Sequence, residues 1–569
     1  MRIMATGVLG GPDYFILAAY FVLMVAIGAY FYRFMRGMKD YFSGGNRVPW
    51  WLSGISFYMT SFSAFAFIFY SSLAYKYGWV GVTLFWMMVP ATMVSVIFFA
   101  TRWRRARIDS PVEFLELRYS AGVRQLFAWH GIPVRVIDDS LKLIATGTFL
   151  SVGLGMEMKT SMLAAGLIML SYTLMGGLWA VAVTDFVQFI VLTLAIAVVL
   201  PLSIAEAGGF VAILRNSPEG FFHLTAPQFS WFYICTQVIV ASLCYSALHW
   251  QLVQRYYCVP TERDALKVGW LVVILNVIGP PVMFFPAMAA RHFLGGLSDE
   301  AQVYPLLCAR LLPPGMLGLM IAAMFSATMS TLSSDYNVCA NVLTSDVYRR
   351  LVRPAASQRE LVLVGRLATL LVGVLSIGLA LLLAGSSGER QFRNMVTLFS
   401  ATAAPVAIPM LVGLTWKRAT TAGVLAGFLI GTATGLTMFW RLPDEMAFFG
   451  AIVRRENLIT IGTCIGTVAP ILLASWARGM GDRERARAEA FHRRLATPLG
   501  ELDEDRTATP TAARQALSPF RVVGVCIAFI GVVMLAVQPW IVGRPSATLS
   551  LAMSGSLLVV GALMAIRKK

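Results

Sequence analysis

Charge is what this sequence has least of: 13% of its 569 residues are Asp, Glu, Lys or Arg, about half the share found in a soluble domain. That scarcity excludes a water-exposed catalytic domain of ordinary composition. Histidine is rarer still, with His130, His223, His249, His292 and His492 far apart. The seven cysteines (Cys235, Cys244, Cys258, Cys308, Cys339, Cys464 and Cys526) are scattered without a CxxC spacing. No disulfide framework or metalloenzyme motif is therefore written in the chain, and the cysteines read as small apolar packing residues. No nucleophile constellation stands out either, so the chain is not read as an enzyme. Acidic residues are outnumbered by basic ones, 29 to 46, but the excess is spread along the chain and does not form the single patch that nucleic acid would need.

What the chain has in abundance is hydrophobic sequence: 58% of residues are hydrophobic and the mean hydropathy is +0.71. Apolar runs of about twenty residues, each enough to cross a bilayer, recur near 13–32, 50–74, 79–101, 134–155, 160–177, 180–203, 229–250, 266–290, 315–340, 361–384, 394–415, 420–440, 457–476, 521–542 and 547–566. The expectation is an all-α polytopic membrane protein of about fifteen spans whose principal partner is the lipid bilayer. Basic residues follow alternate spans: Arg33, Arg36, Lys39 and Arg47 after the first, Arg102, Arg104, Arg105 and Arg107 after the third, Arg255, Arg263 and Lys267 after the seventh, then Arg349, Arg350 and Arg353, Lys417 and Arg418, and Arg567, Lys568 and Lys569. That rhythm puts the N-terminus outside and the C-terminus in the cytoplasm of a plasma (inner) membrane protein. The first run is long and lacks a small-residue cleavage pattern behind it, so no cleavable signal is expected. One stretch, 478–518, is clearly soluble. It opens Arg-rich and continues through Glu501-Leu502-Asp503-Glu504-Asp505 into a Thr/Ala/Pro segment, and reads as a solvated cytoplasmic linker with a short surface helix at its start.

Chemistry collects in a few places inside the apolar runs. Ser326-Ala327-Thr328-Met329-Ser330-Thr331-Leu332-Ser333-Ser334-Asp335 sets hydroxyls along one helix, with Ala327, Ser330, Thr331 and Ser334 on one face at i, i+3, i+4 and i+7. Such a stripe either lets helices pack closely or coordinates a hard cation through oxygen alone. Two spans invite interruption: the second, with Ser61 and Ser63 around Phe62, and the eleventh, with Pro405 and Pro409. Interrupted helices free carbonyls for ions and solutes at the membrane midplane. Asp185 stands in an apolar run with no basic residue near it in sequence, which leaves a cation as its missing partner or a hydrated helix end as its setting. Asp138 and Lys142 are spaced to pair at i, i+4. Asp139 is then left for a solute.

At these residues the chain resembles the sodium/solute symporter family, over about residues 13 to 440. Lys39 to Asn46 followed by Pro49-Trp50-Trp51 resembles the family's first cytoplasmic loop. Gly176 to Val181 with Thr184 to Gln188 is similar to its most specific signature, Val253-Gln254-Arg255-Tyr256 to the end of its sixth core helix, and Ser326 to Ser334 to its eighth. The resemblance implies a leucine-transporter-like fold: an inverted 5+5 helix repeat with one extra N-terminal helix and about four extra C-terminal ones. The chain then divides into 1–48 (first helix and loop), 49–415 (transporter core), 416–477 (additional helices), 478–518 (linker) and 519–569 (C-terminal hairpin). It implies sodium as the coupling ion, held by the carbonyls of Met59, Phe62 and Ala327 and the hydroxyls of Ser330 and Thr331. A second sodium is implied at Asp185, Ser333 and Ser334, hence two ions per cycle. For the solute the correspondence, together with the charged pair, points to Ser61, Ser63, Ala66, Asp139, Lys142, Ser242, Tyr245 and Asn276. Ser61 stands where proline transporters carry Asp, and Phe65 and Ala66 where sugar transporters carry a Glu-Gln pair. The expected solute is therefore a small polar carboxylate, amine or polyol taken up by alternating access, with no obligatory protein partner. An ion channel lacking a solute pocket and a transporter-like sensor signalling through 478–518 are the competing readings.

Overall fold

A computed structural model describes residues 9–32, 38–297, 300–313, 315–384, 388–448, 451–503, 505, 519–540 and 547–566. The principal helices are α1 (Gly11–Tyr32), α2 (Trp50–Thr60), α3 (Ala64–Tyr77), α4 (Val80–Arg105), α5 (Glu113–Arg118), α6 (Ala121–Leu154), α7 (Met158–Glu206), α8 (Trp231–Leu248), α9 (Trp250–Tyr257), α10 (Glu262–Ala290), α11 (Met316–Val352), α12 (Gln358–Leu383), α13 (Gly388–Thr415), α14 (Thr421–Arg441), α15 (Arg455–Arg478), α16 (Asp482–Ala496), α17 (Pro519–Ala536) and α18 (Ala547–Ile566). Eleven helical segments are long and apolar enough to cross a membrane and the bent pair α2/α3 makes a twelfth. With the shorter apolar segments Met158–Ser171 and Ser550–Ile566 and the charged α6, each of the fifteen apolar runs forms a helix among the described residues. Helix is the obligatory answer here because a backbone in hydrocarbon must satisfy its own hydrogen bonds. Among the described residues one pair of antiparallel strands forms, Glu445–Phe448 with Ala451–Arg454.

Three local departures from straight helix shape the core. Gly177, at φ 56 and ψ −163, kinks α7 into two spans, a conformation in which any Cβ would be strained. Between α2 and α3 the chain bends by 61°, with Ser61 Oγ donating back to the Tyr58 carbonyl at 2.7 Å and so competing with helix continuation. The third lies between α8 and α9, where a π turn over Cys244–Leu248 leads into an extended His249. The broken helices are thus the first of each five-helix half, as the inverted repeat requires. The eleventh run corrects the sequence expectation: α13 continues unbroken through Pro405 and Pro409. Each proline removes only one N–H, a loss that a packed membrane helix tolerates. Every residue of α11 from Met316 to Val342 is buried, because α1, α6, α7 and α12 all pack on it. The hydroxyl stripe therefore lies at the centre of the molecule.

The soluble stretch is more than a solvated linker. α16 lies against α5 and the C-terminal end of α4, with Phe491 stacked on Phe114 of α5. Arg107 clasps Asp505 through two bonds of 2.9 and 2.8 Å and also donates to the carbonyls of Arg494 and Pro498. Glu484 accepts from the Thr421 hydroxyl at the start of α14, and Glu262 of α10 accepts from Arg105 and from the Leu499 amide. The composition concealed this because the docking uses a few arginines and carbonyls and little apolar surface. Residues 504 and 506–518 of the stretch lie outside the described residues. The Arg107 clasp holds the Asp505 carboxyl down at about 2 from its ordinary 3.8. Its contribution to docking is complete above about pH 4 and is lost as pH falls toward 2. The variant Asp505→Asn should lose the charge-assisted part of this clasp at neutral pH and expose the Arg-rich helix, so that trypsin cuts within 482–496 several times faster. An unchanged cleavage rate would show that the clasp does not hold α16 in place.

Candidate functional site

The bend at Ser61 to Ser63 turns carbonyls away from their helix and toward α11. Thr331 Oγ1 donates to the Phe62 carbonyl at 2.9 Å and touches the Ala327 carbonyl at 3.2 Å, while the Met59 carbonyl accepts from the Phe62 amide at 3.3 Å. Ser330 Oγ is buried beside the Asp185 carboxyl and makes no hydrogen bond of ordinary geometry. The structure thus joins Thr331 to the Phe62 and Ala327 carbonyls, with Met59 bonded to Phe62 within the same bend and Ser330, the residue before Thr331, beside Asp185. Their oxygens suit a hard monovalent cation, and the buried Ser330 hydroxyl without a partner is the kind of group that such an ion would satisfy.

Asp185 is fully buried, but its cationic neighbour comes from the protein. Arg255 Nη2 of α9 lies 3.6 Å from Asp185 Oδ2. Ser56 joins the pair, donating to Asp185 Oδ2 and accepting from Arg255 Nε. Arg255 also donates to Ser334 Oγ at 2.7 Å and to Gln254 Oε1 at 3.0 Å. Ser334 shares a further bond with Thr60, and Ser333 Oγ donates to the Ser330 carbonyl. The expectation that Asp185 lacks a basic partner is corrected. Arg255 stands seventy positions away in sequence, and only the fold brings it in.

Next to the first of these sites is a cavity of about 180 Å³, lined by Ser61, Phe62, Ser63 and Ala66 of the broken helix, Asp138 and Lys142 of α6, Gln237 and Tyr245 of α8, and Thr331 of α11 among others. Of the expected solute residues, Ser61, Ser63, Ala66, Lys142 and Tyr245 line it. Asp139, Ser242 and Asn276 do not. Ser242 Oγ bonds back to the Val238 carbonyl, and Asn276 Nδ2 donates to Thr92 behind the wall. The roles of the adjacent aspartates are also exchanged. Asp138 faces the cavity while holding Lys142 at 2.7 Å, and Asp139, one residue on, is turned into the protein. Lys142 reaches Asp335 at 3.2 Å and Asp139 at 3.6 Å, and Arg135 meets Asp335 at 3.0 Å. Asp335, the last residue of the hydroxyl stripe, is therefore the hub of a buried charge cluster. Sequence spacing showed the Asp138–Lys142 pair; nothing in it placed Arg135, Gln237, Gln251 or Arg255.

The chain is similar to known transporters. A sodium/sialic acid symporter of Proteus mirabilis is 25% identical over 501 residues, covering 84% of this chain and 98% of its own length. A sodium/glucose cotransporter of Vibrio parahaemolyticus is 25% identical over 473 residues, covering 77% and 86%, and sodium/myo-inositol cotransporter 2 of Homo sapiens is 26% identical over 526 residues, covering 79% and 76%. Among solved structures, a sodium-coupled sialic acid symporter in a substrate-bound outward-open state superimposes with a TM-score of 0.73 at 21% identity, covering 83% of this chain and 99% of its own. A nucleobase-cation-symport-1 family transporter gives 0.52 at 12%, covering 79% and 97%. The family model for sodium:solute symporters matches residues 41–431. With its broken first and sixth core helices and its oxygen-lined break, the chain belongs to the sodium:solute symporter family.

Proposed function

We propose that this protein couples inward sodium movement to the uptake of a small polar organic solute by alternating access. The observation that carries the reading is the contact of Thr331 Oγ1 with the Phe62 carbonyl at 2.9 Å. It supports an ion site on the same helix break whose Ser61 and Ser63 line the cavity. An ion that fixes this break against α11 also fixes the cavity wall, so each ligand lowers the cost of ordering the site for the other. The N-terminus lies outside and the C-terminus in the cytoplasm, as the basic loops direct. Purified protein in proteoliposomes tests the coupling. The solute should bind at least about tenfold more tightly in sodium than in potassium, and sodium should bind more tightly by the same factor when solute is present. Equal solute affinity in the two salts would end the symporter reading.

A further inference from the structure

Resting on the symporter reading above, we infer that the solute carries a protonated amine on a compact, largely apolar body. Asp138 lines the cavity and is 3% exposed. Its Oδ2 is held by Lys142, but its Oδ1 accepts no hydrogen bond. A buried carboxylate oxygen without a donor is costly, and an ammonium N–H from the cavity side supplies what the protein does not. Gln237, 6% exposed on the same wall, also has an unpartnered amide nitrogen. That N–H is a donor, and the face of an aromatic ring on the solute is a group it can meet.

The charge inventory points the same way. Asp138, Asp139 and Asp335 face Arg135 and Lys142, which leaves one negative charge uncompensated in the cluster when all five are ionised. Lys142, the only Lys or Arg among the described residues that line the cavity, has three carboxylates around it and only three N–H donors to share among them. Arg135 is engaged by Asp335, Gln251 and the Leu248 carbonyl. A solute carboxylate would therefore meet a lysine already surrounded by acceptors. An ammonium group would offset charge at the one Asp138 oxygen that lacks a donor. The remaining walls suit its body, since Phe65, Tyr70, Phe85, Tyr233 and Phe399 turn the cavity aromatic, and ring faces attract ammonium groups.

Three probes with one skeleton separate the classes: phenethylamine, 2-phenylethanol and 3-phenylpropionate, titrated at neutral pH into the purified full-length protein while thermal unfolding is followed in sodium and in potassium. Phenethylamine should stabilise the protein in sodium at concentrations about tenfold or more below those at which the alcohol or the acid acts, the factor that a charge-assisted hydrogen bond carries. Asp138→Asn should erase that preference. Because this variant disturbs the charge cluster, Gln237→Leu, which lies outside it, provides a second test and should raise the phenethylamine concentration needed by severalfold. Equal action of the three probes, preference for the acid, or a response to none of them while sodium alone still stabilises overturns the amine assignment and leaves the symporter reading standing. A protein whose unfolding is indifferent to sodium overturns the symporter reading, and the amine assignment with it.

Discussion

Replacing Asp185 with Asn is expected to lower the stability of the protein steeply and to leave the steepness of sodium activation unchanged. The carboxylate and Arg255 are both fully buried at 3.6 Å, and Arg255 is further fixed by Ser56, Gln254 and Ser334. Removing one partner of such a pair strands the other charge in low dielectric and costs about 3–5 kcal/mol. The double variant Asp185→Asn with Arg255→Gln removes both charges and should recover much of that loss, which thermal unfolding of the four proteins in a double-mutant cycle would measure. The family correspondence leads to a different expectation, a second sodium at Asp185, Ser333 and Ser334. In the structure Arg255 already donates to Ser334 and offsets Asp185, so a second cation there would have to compete with a guanidinium. Sodium activation in the parent should therefore follow a single-ion curve. A parent curve with the steepness of two ions, falling to one in an Asp185→Asn variant that keeps its stability, would restore the two-sodium assignment and make Arg255 a mobile partner.

How much of this was legible beforehand depends on range along the chain. The fifteen apolar helices were readable because hydropathy marks them, and eleven of them, or twelve with the bent pair, are long and apolar enough to cross a membrane. The candidate sodium residues could be named because the stripe from Ser326 to Ser334 is local and periodic, and because the resemblance supplied Met59 and Phe62. The interrupted helices were half readable. Ser61 and Ser63 marked one break, but the other, at Cys244 to His249, holds neither glycine nor proline, whereas Pro405 and Pro409 suggested a break that packing abolishes. Contacts between distant segments were not legible at all. Arg255 with Asp185, and Asp335 with both Arg135 and Lys142, join segments between seventy and two hundred residues apart. The exchange of Asp138 and Asp139 is a matter of about 100° of helix rotation per residue. A charged pair in sequence does not state which of its neighbours faces a cavity.

Ser330→Ala and Thr331→Ala should each weaken sodium activation strongly, yet differ in what they do to the sodium-free protein. Both hydroxyls are expected ion ligands, and losing one charge-assisted contact of about 1.5–3 kcal/mol raises the sodium concentration for half-activation by roughly ten- to a hundredfold. Thr331 Oγ1 also ties α11 to the Phe62 carbonyl across the helix break at 2.9 Å. Its removal therefore loosens the break with or without sodium. Ser330 Oγ makes no ordinary hydrogen bond, so its removal should leave unfolding in potassium close to that of the parent and lower it only in sodium. Because both residues serve one ion, the double variant should lose less than the sum of the two single losses. Solute preference should stay the same throughout, since neither change alters Asp138, Gln237 or the aromatic wall. Thermal unfolding in the two salts, together with sodium titration of uptake, reads all of these at once. A Ser330→Ala protein equally destabilised in both salts would mean that this hydroxyl supports helix packing, and the sodium would then have to be held by the four remaining oxygens.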